Sequence, residues 1–189
     1  MPDLRIEGYV IVSADGMLAN AAVVMPDELK FEGDKQFFNA ALDRAELIVH
    51  GRNSYEDQPN SPRRNRIIVS RKIAAIAPDP SNARATLWNP AGASFEAACD
   101  FARVRSGTIA IIGGPAVFAM FLDRYDTFWL SQAPRVRLPD GEPCFPGGPT
   151  KSPQQILAAH GLKAGEGQIL DSGEDVSVTP WRRANQSSP

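Results

Sequence analysis

Leu47-Ile48-Val49-His50-Gly51-Arg52-Asn53-Ser54 is the stretch that decides the reading of this chain. A short apolar run stops at a glycine, the pattern of a strand buried on both faces in a parallel sheet. An arginine, an amide and a hydroxyl follow at once. Three other places repeat the arrangement. Tyr9-Val10-Ile11-Val12 ends at Ser13-Ala14-Asp15-Gly16, Ile67-Ile68-Val69 ends at Ser70-Arg71-Lys72, and the run from Thr108 to Ile112 ends at Gly113-Gly114-Pro115. Apolar strands with small residues, hydroxyls and arginines at their carboxyl ends describe an open α/β sheet whose strand ends face a ligand.

Helical patterns separate these strands. Phe38, Leu42 and Ala45 recur at i, i+4 and i+7, with Phe37 and Ala41 alongside and Asp34 placed to cap. Ser94 caps a helix expected to reach Arg105, with Phe95, Cys99 and Ala102 on one face. Pro115 suits the first position of a helix from Ala116 to Leu122. Ser152-Pro153-Gln154-Gln155 reads as a capping box, its helix ending near His160-Gly161. Arg52 to Asp57 is expected as a short helix, Pro59 to Arg64 and the Pro78/Pro80 region as loops, and Thr86 to Trp88 and Thr127 to Ser131 as strands. Pro134 to Pro153 carries six prolines and three glycines and reads as loop. Leu162 to Trp181 is left for an antiparallel hairpin. The expected fold is a three-layer α/β/α domain over residues 1–181, with a mostly parallel mixed central sheet and that C-terminal hairpin. Residues 182–189 read as a frayed polar tail.

Composition narrows the function classes. A chain of 189 residues, 43% hydrophobic and 22% charged, fits one ordinary globular domain. Its apolar runs fall far short of the roughly 20 residues a membrane helix needs, and the N-terminus lacks a signal layout. A net charge of -2 with scattered basic residues gives no nucleic-acid footprint. Cys99 and Cys144 stand 45 positions apart with only His50 and His160 for company, so no metal site is expected. Two lone thiols fit a cytoplasmic protein.

The strand ends suit a phosphorylated ligand. Glycines let backbone approach an anion closely, and Gly113-Gly114 before Pro115 joins that freedom to a helix start. Arg52 and Arg71 can make charge-assisted contacts, and Ser54 and Ser70 can donate hydrogen bonds. No Gly-x-x-x-x-Gly-Lys-Ser/Thr and no Gly-x-Gly-x-x-Gly is present, which sets aside P-loop NTPases and ordinary Rossmann dinucleotide sites.

His50-Gly51-Arg52-Asn53-Ser54-Tyr55-Glu56 resembles the Met-Gly-Arg-x-Thr-Tyr-Glu signature of the dihydrofolate-reductase-like superfamily. Ile67 to Arg71 resembles its next strand, and Ile111 to Phe118 resembles its Ile-Gly-Gly segment. Ser13-Ala14-Asp15-Gly16-Met17-Leu18-Ala19 is similar to the Ser-Leu-Asp-Gly-Lys-Ile-Ala motif of the reductase domain of the riboflavin-biosynthesis deaminase-reductase, and Asp34 to Phe38 suits that branch's first helix. The resemblance spans about residues 5 to 180. It departs at Met17, where the branch has lysine, and at Ala14, His50 and Ser54. The zinc deaminase half, with its His-x-Glu and Pro-Cys-x-x-Cys pattern, is absent from the chain.

The resemblance implies an NADPH-dependent reductase acting on a small polar substrate, a homodimer in this family. Arg52, Ser54, Ser70 and Arg71 would hold the cofactor phosphates, with Arg71 on the 2′-phosphate. Gly113 and Gly114 would face the cofactor, with a cis peptide between them one option of this fold, and Leu18 and Ala19 would lie near the nicotinamide. Asp15 would reach the substrate, or serve only as the turn residue of Asp-Gly. Two alternatives stay open, a folate reductase and a nucleotide-binding module without catalysis. For the first, the acid would be Glu28, 23 residues before Gly51, or Asp34, 17 before it. His50 reads as a packing residue beside the cleft. Phe128, Trp129 and Leu130 are the apolar candidates for an interface.

Overall fold

The computed structural model describes residues 3–147 and 150–184. Its strands are β1 (Asp3–Ser13), β2 (Met17–Ala19), β3 (Leu47–Gly51), β4 (Arg66–Val69), β5 (Ile76–Asp79), β6 (Asn82–Trp88), β7 (Ser106–Ile111), β8 (Thr127–Ala133), β9 (Glu142–Pro143), β10 (Leu162–Ala164), β11 (Gln168–Asp171) and β12 (Val176–Arg183). Its helices are α1 (Glu32–Arg44), α2 (Phe95–Phe101), α3 (Pro115–Met120) and α4 (Pro153–Ala159). One sheet runs β10-β12-β8-β1-β7-β3-β4-β6-β5, with β11 also paired to β12. Every pair from β8 to β6 is parallel, and the outer pairs are antiparallel. β2 and β9 form a separate two-stranded ribbon.

Alternation sorts the side chains onto two faces. Leu47, Val49, Ile109, Ile111, Phe128 and Leu130 pack with α2, α3 and α4. Tyr9, Ile48, Ala110 and Trp129 pack instead with Ala41 and Leu42 of α1. Phe128 and Leu130 are wholly buried. They belong to the core, and Trp129 to the α1 side, so this strand offers no free interface of the kind expected.

Local signals account for much of this. Ser94 caps α2 by accepting from Ala97 N at 3.1 Å, and Ser152 and Gln155 close the capping box of α4. Other expectations need correction. Residues 52–57 form no helix, and the short helical turn falls at Ser61–Arg63, within the expected loop. Pro78 lies in β5, at the sheet edge, where a missing N–H costs no ladder bond. α2 stops at Phe101, short of Arg105, because Arg103 turns to φ 61. Asp34 does not cap α1. Phe31 holds that position and Asp34 stands inside the first turn. β12 continues through Arg182 and Arg183, residues read as tail, and 185–189 lie outside the described residues. No helix among the described residues is long and apolar enough to cross a membrane.

Candidate active site

A cleft of about 860 Å³ opens on the α1 side of the sheet, at the carboxyl ends of β1, β3 and β7. One end is built by backbone. Gly51 N donates to Gly113 O at 2.7 Å, and Ile112 N donates to Val49 O at 3.0 Å, so the segments after β3 and β7 lie side by side. Arg52, Asn53, Ser54, Gly114, Pro115 and Ala116 line this end. The Gly113–Gly114 peptide is cis. A Cβ at Gly113 would come within 3.0 Å of Phe118, and its φ of +113° disfavours any other residue. A Cβ at Gly114 would stand 3.3 Å from Ser54 Oγ, in the space where a ligand would meet the backbone. Arg52 is exposed and makes no salt bridge among the described residues. A backbone cradle with an uncommitted guanidinium and a hydroxyl fits a dinucleotide's phosphates.

The other end is built on α1. Gly33 permits it: a Cβ there would fall 2.0 Å from Leu170 O, so only glycine lets the first turn of α1 sit on β11. Asp34 is thereby turned into the cleft, where its carboxyl shares a hydrogen bond with Ser131 of β8. Burial pushes the Asp34 pKa above the ordinary carboxylate value, and the Ser131 hydrogen bond offsets only part of the rise. Tyr9, Phe37 and Trp129 line the cleft nearby. Tyr9 and Trp129 stack at 6.4 Å, and Phe37 meets Trp129 edge-on at 5.5 Å. Glu7 fixes the first two rings, accepting from Tyr9 Oη at 2.5 Å and Trp129 Nε1 at 2.9 Å.

The sequence candidates divide. Leu18, Ala19, Asp34, Arg52, Ser54 and Gly114 share the cleft, with Gly113 directly behind. Leu18 and Ala19 reach it because β2 pairs with β9. Asp15 lies outside it, on a pocket of about 130 Å³ beside α4. Ser13 Oγ donates to Asp15 at 2.5 Å, and Leu138 N donates at 3.0 Å, tying the β1–β2 turn to the loop after β8. Burial raises the Asp15 pKa, but those hydrogen bonds outweigh it and hold the carboxyl below its ordinary value. Ser70 and Arg71 follow β4, beyond the cleft. Ser70 is buried with its Oγ taking the Lys72 N–H at 3.3 Å, and Arg71 is exposed. Glu28 is exposed and outside the cleft, so of the three candidate acids Asp15, Glu28 and Asp34 it is Asp34 that lines the cleft.

His50 is held as a packing residue. Its Nδ1–H donates to Gly51 O at 2.7 Å, which leaves Nε2 to accept from Arg66 Nη1 at 3.0 Å. Burial and the adjacent Arg66 keep its pKa below the ordinary imidazole value, so the ring is neutral. Cys99 and Cys144 are buried, and burial pushes the Cys99 thiol up to about 12, so neither is a nucleophile. Two features of the site lie outside the strand-end motifs: Ser131, inside β8, and the aromatic wall of Tyr9, Phe37 and Trp129. Period-2 alternation is the signal for the strand part of this wall: it puts Trp129 and Ser131 on one face of β8, with Tyr9 beside Trp129 in register on β1, while Phe37 comes from α1.

No family model matches the chain, and none of the curated proteins does. Solved structures do. A protein assigned to riboflavin biosynthesis from Shewanella sp. PV-4 superposes with a TM-score of 0.63 at 18% identity, over 96% of this chain and 99% of that one. The dihydrofolate reductase of Enterococcus faecalis, solved with NADP(H) and RAB-propyl, gives 0.64 at 15% identity, over 96% and 97%. The diaminohydroxyphosphoribosylaminopyrimidine deaminase/5-amino-6-(5-phosphoribosylamino)uracil reductase of Thermotoga maritima gives 0.65 at 12% identity, over 97% of this chain and 57% of that one. The chain therefore has the dihydrofolate-reductase-like fold.

Proposed function

We propose that this chain is an NADPH-dependent reductase of the riboflavin-biosynthesis type, acting on a carbonyl or imine carbon of a small polar substrate. One observation carries the reading: a carboxyl with a raised pKa, Asp34, stands in the same cleft as the Gly113–Gly114 cradle and the uncommitted Arg52. Bound NADPH would supply the hydride. Arg52, Ser54 and the backbone at Gly114 would hold its phosphates, with Ser70 and Arg71 reaching a 2′-phosphate that projects past β4. Leu18 and Ala19 would pack on the nicotinamide and exclude water.

Asp34 would keep its proton at a pH where a solvated aspartate has lost it, and donate it to the nitrogen or oxygen next to the reduced carbon. Ser131 would orient that carboxyl. Asp15 would act indirectly, by fixing the turn that leads into Leu18. Folate reduction is the second reading, and the placement of Asp34 favours it over any role for Glu28.

The test is NADPH consumption with 5-amino-6-(5-phosphoribosylamino)uracil and with dihydrofolate. Turnover of the first by wild type, lost in Asp34→Asn, supports the proposal. Turnover of dihydrofolate alone selects the second reading. NADPH binding with no turnover of either leaves a binding module and overturns both.

A further inference from the structure

Tyr55 lines the cleft and is 52% exposed, yet it is held on several sides. The Arg66 guanidinium lies 4.5 Å from its ring centroid, and the His50 ring meets it edge-on at 5.8 Å. Its phenol shares a hydrogen bond of 3.0 Å with Ser61 Oγ. Arg66 is itself fixed, donating to Glu56 Oε1 at 2.8 Å, to Ser61 O at 3.0 Å and to His50 Nε2 at 3.0 Å. Arg66 is wholly buried and covers one face of the Tyr55 ring, which leaves the opposite face as the one a ligand in the cleft can meet. An exposed aromatic side chain usually loses rotamer freedom when it binds; this one has lost it already.

The electronics restrict what such a ring accepts. A cation against one face draws on the π cloud. The open face is left poorer in electrons than that of a free phenol. It suits a planar, electron-rich ring that is neutral or anionic, and disfavours a cation.

Position narrows the source. The segment carrying Tyr55 is bound to α1, through Asn60 Nδ2 to Asp43 at 3.1 Å and Arg64 Nη2 to Asn39 Oδ1 at 2.7 Å. Phe38, four residues after Asp34 and on the same face of α1, lines the cleft as well. The segment carrying Tyr55 is therefore anchored to the C-terminal half of α1, the helix that carries the acid in its first turn.

We infer that Tyr55 is a prebuilt stacking platform that selects a planar, electron-rich heterocycle, the substrate's ring ahead of the cofactor's adenine. The assignment of substrate and cofactor ends rests on the reductase reading above; the platform itself does not.

Calorimetric binding of 5,6-diaminouracil, adenosine 2′,5′-bisphosphate and NADPH to the full chain tests it in wild type, Tyr55→Phe, Tyr55→Leu and Tyr55→Ala. Stacking on an aromatic side chain is worth enough that its loss weakens binding at least about fivefold. The expected result is that loss for 5,6-diaminouracil in both Tyr55→Ala and Tyr55→Leu, with Tyr55→Phe close to wild type. The same pattern for adenosine 2′,5′-bisphosphate alone supports the platform and assigns it to the adenine. Equal affinity across all four proteins, binding of neither ring compound to any of them, or a loss in Tyr55→Phe as large as in Tyr55→Ala overturns it. NADPH that fails to bind wild type, beside a Tyr55-dependent affinity for 5,6-diaminouracil, overturns the reductase reading and supports the platform.

Discussion

Replacing Glu56 by alanine removes the one carboxylate that joins two buried guanidiniums. Glu56 Oε2 accepts from Arg64 Nη1 at 3.0 Å and Oε1 accepts from Arg66 Nη2 at 2.8 Å. The three side chains are 5%, 6% and 0% exposed, so solvent screens little of the interaction. In the variant Arg64 keeps Asp43 at 2.6 Å, but Arg66 keeps only the neutral acceptors of His50 and Ser61. Both Nε atoms are already without a partner, so the cluster has no spare acceptor to offer. Breaking a buried pair from one side costs about 3–5 kcal/mol, and the retained Arg64–Asp43 pair places this case near the lower end, at about 3 kcal/mol. Urea unfolding of wild type and Glu56→Ala at neutral pH measures it. A change below about 1 kcal/mol, the level of exposed pairs, would refute the claim that the cluster is desolvated. The double variant Glu56→Leu/Arg66→Met removes both charges together. It is expected to recover most of the loss, because buried ion pairs are often matched by apolar residues of similar size.

Asp34→Asn is expected to lower kcat by a factor of about 10² to 10⁴, the usual contribution of a positioned acid. Wild-type activity should be lost as pH rises through the raised Asp34 pKa, and a pH profile of Asp34→Asn should lack that limb. The same variant should be more stable than wild type at neutral pH, since a raised folded-state pKa makes ionised Asp34 a cost there; thermal melts at two pH values decide this. Burial depresses the His50 pKa, so stability present above the unfolded-state value of about 6.5 should fall as pH drops below it. His50→Gln, which can still donate to Gly51 O and accept from Arg66, should flatten the urea midpoint between about pH 5 and 6.5. Arg71→Ala should weaken NADPH far more than NADH, and equal losses in a titration would show that Arg71 has no part in 2′-phosphate binding.

How much was legible in the sequence follows from how local each rule is. Ser94 and the Ser152–Gln155 box specify their helix starts within four residues, and both form as read. β1, β3, β4 and β7 are visible through their apolar runs, Tyr9 to Val12, Leu47 to Val49, Ile67 to Val69 and Ile109 to Ile111, as expected of strands covered on both faces. The start of α1 was misread because Gly33 is dictated by Leu170 O, some 137 positions away. The expected helix at 52–57 fails for a similar reason. Glu56 is drawn inward by Arg64 and Arg66, so the segment follows those bonds and not its own propensity. β2 and β9, three and two residues long, exist only through each other. In the site, Arg52, Ser54, Gly113 and Gly114 could be found because the sheet brings strand ends together. The pairing of Ser131 with Asp34 and the setting of Tyr55 could not, since each joins residues of different elements.

The proposed function requires that the cleft bind NADPH at the Gly113–Gly114 end with Arg52 on its phosphates. Titration of wild type and Arg52→Ala with NADPH and with NADH, followed by nicotinamide fluorescence, tests it most directly. The expected result is saturable NADPH binding to wild type, much weaker NADH binding, and a loss of about tenfold or more for NADPH in Arg52→Ala, the scale of a charge-assisted contact. No saturable binding of either nucleotide to wild type, or unchanged NADPH affinity in Arg52→Ala, would contradict it.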